Sequence, residues 1–359
     1  MPNVLDLRRR IRSVKNTRQI TKAMKMVSAA KLRRAQERAI SARPYAAMLA
    51  SVLESLKRRA EIYDPETGEV RHPLLLTRPE KRILLVVVSG DKGFAGAFNT
   101  NIFKAAANFM SDNSERQIDV EAIGRKGRDL FRRRYPAAQF AEANEENGRR
   151  ERQQRSGAIE VLTGPTAALE RINYDAIRDV SDEIISLYTH EEIDAAYLVY
   201  NEFKSVIQQR VVVERLLPIL SLTVREIERA EEPTLEERER AAEAALSAGV
   251  SLYPQEAEAA QKQLEDETKN FGTAEVDYIY EQPPAEIFAD VLPRYVASQI
   301  YHATLESIAA EHAARMTAMD SATNNASDMI DSLTLTMNRV RQAAITKEII
   351  EIVSGAAAI

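Results

Sequence analysis

Cysteine and tryptophan are absent from this chain of 359 residues, and aromatic residues make up only 6% of it. The lack of cysteine excludes disulfides, thiolate metal sites and a thiol redox switch. The four histidines show no metal-ligand spacing. No apolar run reaches the roughly 18 residues needed to cross a bilayer, so we expect a soluble or peripheral protein that meets any membrane through a partner.

Glycine and proline are missing from two long stretches, residues 3–43 and 294–354. Aromatic residues are also missing before Tyr45 and after Tyr301. Segments without helix breakers or bulky rings are not typical of a globular core. As single helices they would reach about 60 and 90 Å, far beyond the usual length in globular domains. The sequence therefore predicts two rods that transmit something along the molecule.

Heptad-like spacing recurs in both rods and predicts that they pair. In the first, Leu7, Ile11 and Val14 are four and three residues apart, and the rhythm resumes after a shift, which indicates a heptad with a stutter. Small residues at many inward positions of the second rod would allow a close approach, so we predict an antiparallel coiled coil. The alternative is a pair of amphipathic helices packed on a domain. The shifted first series is Ile20, Met24, Val27 and Lys31, and the second rod gives Met319, Ala322, Ala326, Met329, Leu333, Thr336, Val340 and Ala343.

Acidic residues are scarce at the start of the chain. Residues 1–60 hold 16 lysines and arginines against three acidic residues, a net charge of +13, which leaves −18 on the rest. This asymmetry favours an acidic partner for the first rod. The alternatives are a solvated helix face, a nucleic-acid contact and a transit peptide. No aromatic residues are interleaved for base stacking, and no hydrophobic signal core is present.

The middle of the chain alternates between strand-like and helix-like patterns. Residues 82–89 form an apolar, β-branched run, typical of a strand buried on both faces. The alternation predicts a Rossmann-like α/β domain with a mixed sheet over residues 80–220. Its predicted strands are 82–89, 118–123, 159–162, 195–203 and 208–217, the last two paired as a hairpin, with helices at 99–111, 125–135 and from 165 or 166 to about 188.

An acidic insertion at 223–272 follows, with 13 acidic and 6 basic residues. Thr234 and Glu237 predict a capping box, and Gly249 a helix end. A second helix would run from Pro254 to near Asn270, which gives a solvated helical hairpin on the surface. The remaining divisions are an N-terminal coiled-coil helix at 1–62, and a foot segment with the C-terminal coiled-coil helix at 276–359.

A glycine-rich turn, residues 89–96, follows the first strand. Its glycines at 90, 93 and 96 fit neither the G-x-x-x-x-G-K-[ST] phosphate loop nor the G-x-G-x-x-G fingerprint. We therefore expect a structural strand-to-helix turn, with nucleotide binding as the alternative. No nucleophile, base and orienting acid can be assembled from the sequence. We expect no catalytic residue, no cofactor and no metal.

The two ends resemble the gamma subunit of F-type ATP synthase, and the likeness covers most of the chain except 141–156 and the insertion. The residues 89–99 and 215–218 also fit that family. The matching terminal residues are Ile11, Ser13, Asn16, Thr17, Ile20, Thr21, Ala23, Met24, Met26, Val27, Lys31, Arg315, Met316, Ala318, Met319, Ala322, Asn325, Ala326, Asn338, Arg341, Gln342, Ala343, Ile345, Thr346, Glu348, Ile349 and 351–356.

This resemblance implies a central-stalk rotor on the cytoplasmic face of the bacterial inner membrane. Its coiled coil would turn inside a ring of alternating alpha and beta subunits, with the epsilon subunit and the membrane c-ring as further partners, and would couple ion flow to ATP synthesis or hydrolysis. The implied contacts to the acidic lever of the beta subunit are Lys22, Met24 and Lys25. Those to the catch loops are Arg341, Gln342, Thr346 and Glu348. Those of the foot to the membrane ring are Tyr278, Tyr280 and Glu281.

The end of the chain is small and apolar, as a bearing in a hydrophobic sleeve should be. The bearing residues are Ser354, Gly355, Ala356, Ala357, Ala358 and Ile359. The insertion lies where photosynthetic relatives carry a redox-active cysteine pair, which this chain lacks, so it would act as a mechanical brake or only decorate the surface. Two other functions stay open, a non-rotary coiled-coil scaffold with an α/β head and an independent nucleotide-hydrolysing enzyme.

Overall fold

Two very long helices dominate the structure, a computed structural model that describes residues 3–59, 72–140, 155–162, 169, 173–222, 225–251 and 281–356. Helix α1 spans Val4–Arg59, and the last helix, α6, spans Pro284–Ala356. With 56 and 73 residues they are about 84 and 110 Å long. They pack against each other antiparallel, since Thr21 contacts Thr323 and Lys25 contacts Asp320. We call this pair of helices the shaft.

Both helices run through a proline, Pro44 in α1 and Pro293 in α6. An interior proline costs about 3 kcal/mol because it removes a hydrogen bond and crowds the preceding turn. Leu292 and Val296 beside Pro293, and Leu53 further along α1 from Pro44, are fully buried in the core on one face of the sheet. Burial of this kind offsets the cost, which explains why the helices exceed the breaker-free stretches of the sequence.

A six-stranded sheet has the order β3-β2-β1-β4-β5-β6. It lies beside the lower part of the shaft, which is formed by the second half of α1 and the first half of α6. Strands β1 to β4 are parallel, while β5 and β6 are antiparallel to their neighbours. The predicted mixed sheet and its terminal hairpin are confirmed. Strand β6 was not predicted, because its sequence IERAE is charged and lacks a strand-like pattern. The strands are Arg82–Val88, Gln117–Ile123, Ile159–Val161, Ala195–Phe203, Gln209–Leu217 and Ile227–Glu231.

Helices cover both faces of the sheet. Alternate residues of β1 enter two separate cores, with Leu85 on one side and Val86 on the other. The first core includes α2, α5 and the middle of α6, and the second includes α4 and the start of α6. The shaft is therefore fixed to the domain through both layers. The shorter helices are α2 at Phe98–Asp112, α3 at Arg125–Arg134, α4 at Tyr174–Thr189 and α5 at Leu235–Ser247, with a 3-10 turn at Pro73–Leu75.

The seam of α1 is a regular heptad, so the predicted stutter is wrong. Ile20 and Val27, which the stutter would turn inward, are 59% and 56% exposed. The prediction was wrong because it assigned only apolar residues to the seam. In the middle of the helix polar residues occupy the inward positions and continue the heptad spacing. The inward residues, spaced four and three apart throughout, are Leu7, Ile11, Val14, Arg18, Thr21, Lys25, Ser28, Leu32, Ala35 and Ala39.

On α6 the predicted seam is half correct. Met319 and Ala326 are buried as predicted. Met329 is 53% exposed, and its neighbour Ile330 takes the inward position instead. Among the described residues, no helix combines the length and the apolar character needed to span a bilayer.

Candidate functional site

The middle of the shaft is joined by a buried polar layer. Lys25 Nζ lies 2.8 Å from Asp320 Oδ1, and the two side chains are only 9% and 11% exposed. One turn further along, Thr323 Oγ1 donates a hydrogen bond of 2.8 Å to Thr21 Oγ1. A buried polar pair in the seam fixes register, because a slipped pairing would leave both groups unsatisfied. The two helices are thus locked against sliding.

Helix α5 of the insertion is tied to the same layer. Lys25 Nζ donates to Ser247 Oγ at 3.1 Å, and Ser247 Oγ donates to Asp320 Oδ1 at 3.2 Å. Arg33 donates to the carbonyl oxygen of Gly249 just beyond the helix. The predicted capping box of Thr234 and Glu237 is present.

The inner face of α5 is also apolar. Ala241, Ala244 and Ala245 are buried, and two of them join the core that contains Leu32 and Met316. The first helix of the predicted hairpin is therefore packed on the shaft and solvated on its outer face only. The second predicted helix lies outside the described residues.

The three residues predicted to meet the beta lever differ in their surroundings. Lys22 is exposed, Met24 is half-buried and Lys25 is buried in the polar layer. The structure therefore gives Lys25 a partner within the chain, and we do not retain it in the contact surface. The sequence could not separate Lys22 from Lys25, since the phase of the seam decides which lysine turns inward.

Towards the C-terminus of α6, beyond the polar layer, α6 extends past the first residue of α1. From the register set by Thr21 and Thr323, Val4 stands level with roughly residue 340. All residues from 341 to 354 are exposed. This single-helix extension, residues 341–356, carries the predicted catch-loop contacts, which are Arg341, Gln342, Thr346 and Glu348.

The single-helix extension is unusually apolar for an exposed helix. Ile345, Ile349 and Ile352 are 48%, 55% and 70% exposed, and their spacing of four and three places them on one face. An exposed apolar stripe of this length marks an interaction surface. Of the predicted bearing residues, Ser354 is exposed, Gly355 and Ala356 end the helix, and Ala357, Ala358 and Ile359 lie outside the described residues.

At the opposite end, only part of the predicted foot can be placed. Glu281 is exposed three residues before α6 begins. Tyr278 and Tyr280 lie outside the described residues.

The turn at residues 89–96 sits where the parallel strands end, against the middle of α6. Arg315 Nε donates to the carbonyl oxygen of Gly93 at 3.4 Å, and Arg315 Nη2 donates to Glu311 Oε1 at 2.5 Å. Burial raises the pKa of the Glu311 carboxyl, and the Arg315 guanidinium opposes that rise. The side chain of Asn99 accepts the backbone N–H of Gly90 at 2.9 Å. The turn is held rigidly on the shaft.

Phe94, in this turn, is the residue that the sequence interpretation missed. Its ring is 74% exposed, and its φ of 63° lies in the left-handed region. A bulky residue in that region is strained, and such strain is found at functional positions more often than elsewhere. The signal in the sequence was a phenylalanine among turn residues, where a polar residue is usual.

These features define an elongated shaft protein, in which an antiparallel coiled coil is clamped to an α/β domain and ends in an exposed single helix. The ATP synthase family profile matches residues 3–359. A gamma chain of ATP synthase from Solibacter usitatus is 48% identical over 100% of this chain and 99% of its own length. One from Pelotomaculum thermopropionicum is 40% identical over the whole of both chains. The chain belongs to the gamma chain family of ATP synthase.

A solved structure also matches along the length of the chain. The mitochondrial ATP synthase of Euglena gracilis, described as OSCP, F1 and c-ring in rotational state 3, contains a chain of 16% identity with a TM-score of 0.49. The match covers 99% of this chain and 94% of that chain.

Proposed function

We propose that this protein is the central rotor of a bacterial F-type ATP synthase. It would carry torque between a membrane ring and a collar of alpha and beta subunits, and it would perform no catalysis itself. The observation that supports this most directly is the single-helix extension. A helix that projects beyond its coiled-coil partner with every residue from 341 to 354 exposed is suited to a position inside a surrounding sleeve.

A rotor must transmit torque without slipping, and the polar layer meets that need. Lys25 and Asp320 oppose sliding of α1 along α6, and the two cores oppose rotation of the shaft relative to the sheet. The asymmetric shaft would present a different face to each collar subunit as it turns. Differential contacts would then bias the conformational equilibrium of each catalytic subunit in sequence.

The proposed contacts follow the exposed surfaces of the shaft. Lys22 and Met24 would meet the acidic lever of the beta subunit, and the polar residues of the single-helix extension would meet the catch loops. Its apolar face, with Ile345 and Ile349, and the small residues of the tail would sit in the sleeve. At the other end, Tyr278, Tyr280 and Glu281 would meet the membrane ring. The protein would then be peripheral on the cytoplasmic face of the membrane.

A reversible cross-link tests the rotor. We expect a disulfide between Gln342→Cys in this chain and a cysteine in the beta catch loop to stop ATP hydrolysis by the assembled complex, because a rotor tied to its collar cannot turn. The chain has no native cysteine, so the new thiol is its only one. ATP hydrolysis should be measured before oxidation, after it, and after reduction, which should restore it. Full hydrolysis in the oxidised, cross-linked complex would contradict rotation of this chain.

The exposed ring of Phe94 gives a second prediction. Phe94 lies level with residues 315–318 of α6, because the neighbouring Gly93 and Gly96 contact Arg315 and Ala318. This edge of the domain faces the part of the shaft that contains the polar layer and the single-helix extension. We infer that it meets the underside of the collar. Asparagine tolerates a positive φ, so Phe94→Asn should leave the fold intact while removing the aromatic anchor. We expect a loss of about 1–3 kcal/mol in binding to the alpha and beta subunits.

The matched control is Leu220→Asn, another exposed apolar residue, 45% exposed, in the loop packed near Tyr295. Tyr295 lies about 30 Å along α6 from the level of Phe94. Affinity for the collar should be measured for both variants by titration. Equal losses in the two variants would remove Phe94 from the contact.

A further inference from the structure

A cleft of about 550 Å³ opens between the sheet, α5 and α6. Its floor is a row of three residues that lie side by side on neighbouring strands, Asn201 on β4, Val211 on β5 and Glu231 on β6. Its walls are the first turns of α2 and α5 and one face of α6. The volume is typical of sites for small molecules, which measure about 300–1,000 Å³.

The cleft lies at the edge of the sheet where open α/β folds bind ligands. Its lining includes Ala95 and Phe98, which follow β1, and Asn201 near the end of β4. In the order β3-β2-β1-β4 the chain moves first to one side of β1 and then to the other, so the order reverses between β1 and β4. Ligands of open α/β sheets occupy the crevice beyond the carboxyl ends of the strands at such a point. The cleft is therefore placed where this class of fold accommodates a ligand.

The side chain of Asn201 has hydrogen-bonding capacity that the chain does not use. Asn201 is only 6% exposed, and its backbone N–H donates to Ser307 Oγ at 3.1 Å. Its side-chain Nδ2 is buried without a hydrogen-bond partner among the described residues. A buried donor without a partner lowers the stability of the fold, so such groups are rare in native proteins. A ligand in the cleft that offers an acceptor would satisfy it.

We propose that the cleft binds a small amphipathic carboxylate, a molecule with one carboxylate head and an apolar body. The head would accept the hydrogen bond that Asn201 Nδ2 can donate, and a carboxylate is a stronger acceptor than a neutral oxygen. The first turn of α2 supports the same head. Its N-cap is Ala97, whose side chain accepts no hydrogen bond, and the start of a helix carries partial positive charge. This site is independent of the rotor function, since none of the residues proposed to contact other subunits lines the cleft.

Apolar side chains line much of the cleft and suit the body of the ligand. Phe98, Val206 and Ala241 are buried there, and Ala314 and Ala318 of α6 are half-buried one turn apart. Covering this surface removes it from water, which is favourable in proportion to the apolar area. Because the walls belong to α2, α5 and α6, a bound molecule would also stabilise the packing of α5 on the shaft.

The charges at the rim limit the head to a single negative charge. Three glutamates stand against two cations, Lys104 and Arg240, so a polyphosphate would meet net repulsion. Each glutamate already has a partner in the chain, so none of the three needs a cationic ligand. The partners are Lys104 at 3.9 Å from Glu231, Arg238 at 3.1 Å from Glu232, and the backbone N–H of Thr234 for Glu237.

Decanoate serves as the probe, read by titration calorimetry and by thermal unfolding of the full chain. We expect saturable binding of one molecule per chain and a melting temperature that rises with decanoate concentration, because a ligand that binds only the folded chain stabilises it. Acetate has the head without the body, and decyltrimethylammonium has the body with a cationic head. Each should bind at least about tenfold more weakly. Binding of either as tight as that of decanoate, or no saturable binding of decanoate, would overturn the proposal.

Replacement of Asn201 by leucine separates a ligand site from a structural role. The change keeps a similar volume and removes the unpaired amide, so the melting temperature without ligand should stay the same or rise. The affinity for decanoate should fall about tenfold or more.

The matched control is Ser181→Ala. Ser181 is fully buried on α4, on the other face of the sheet, and its hydroxyl also has no partner within the described part of the chain. This variant should leave the affinity for decanoate unchanged. If Asn201→Leu binds decanoate as tightly as Ser181→Ala does, the amide of Asn201 takes no part in binding and the proposal fails.

A single introduced thiol locates the bound probe, since the chain has no cysteine of its own. Ser321→Cys places it on the α6 wall of the cleft, and saturating decanoate should slow its alkylation by iodoacetamide about tenfold or more. Ser332→Cys is the control, an exposed position on α6 about 16 Å further along, where the rate should not change. An unchanged rate at position 321, or equal slowing at both positions, would show that decanoate does not occupy the cleft.

Discussion

Replacement of Lys25 by methionine is expected to lower the free energy of unfolding by about 3–5 kcal/mol, because Asp320 would remain buried without its partner. The pair is 2.8 Å apart, and each side chain is about nine-tenths buried. Ser247 would keep one hydrogen bond to Asp320 but cannot neutralise its charge. Urea unfolding of the full chain, followed by the loss of helical circular dichroism, measures the change.

Lys22→Met is the matched control, since Lys22 is an exposed lysine on the same helix, three residues earlier. Its replacement should change the stability by no more than about 0.5 kcal/mol. The double variant Lys25→Met with Asp320→Leu should recover most of the lost stability, because apolar pairs often replace buried ion pairs at no cost. If Lys25→Met is as stable as Lys22→Met, the polar layer contributes nothing to the shaft.

Gly124→Ala is expected to lower the free energy of unfolding by more than about 4 kcal/mol. It should also disrupt the sheet at the carboxyl end of β2, which Gly124 directly follows. An added Cβ would lie 1.9 Å from the carbonyl oxygen of Ser89, a distance that requires the backbone to move. The φ of Gly124 is 97°, which side-chain-bearing residues rarely adopt. Ser89 in turn accepts the N–H of Gly127 at 2.8 Å, so the strain would spread along the start of α3.

Gly93→Ala provides the comparison within the same region. A Cβ on Gly93 would meet nothing within 4 Å, and its φ is not positive. Alanine there should be neutral or slightly stabilising, through a lower entropy of the unfolded chain. The melting temperatures of the two variants should therefore differ widely. Similar values would show that the close approach of Gly124 to Ser89 is not required.

Much of the sheet domain followed from the sequence, because local patterns there agree with the final packing. The β-branched run of β1 can be satisfied only with both faces covered, and the structure covers both. Strand β6 could not be found in this way. Its residues are mostly charged and exposed, and they form a strand only because β5 offers an unpaired edge.

The contact surface was predicted less well than the fold. Gln342 and Thr346 proved exposed on a single helix, as a contact to a partner requires, although their partners stay a prediction. Lys25 was placed on the surface because the family resemblance put it beside Lys22 and Met24 in the lever contact. Phe94 was passed over because an exposed ring in a turn carries no periodic signal. In both cases the missing information was which way a side chain turns.

The sequence by itself determined that this protein has two long helices at its ends, a mixed sheet between them and a strongly basic first rod. These properties depend on residues close together in the chain, namely on the placement of helix-breaking residues, the spacing of apolar residues and the local net charge. Only the tertiary structure decided the phase of the shaft, the continuation of both helices through proline and the attachment of α5 to Lys25 and Asp320. Each of these depends on contacts between residues hundreds of positions apart, where burial outweighs local preference.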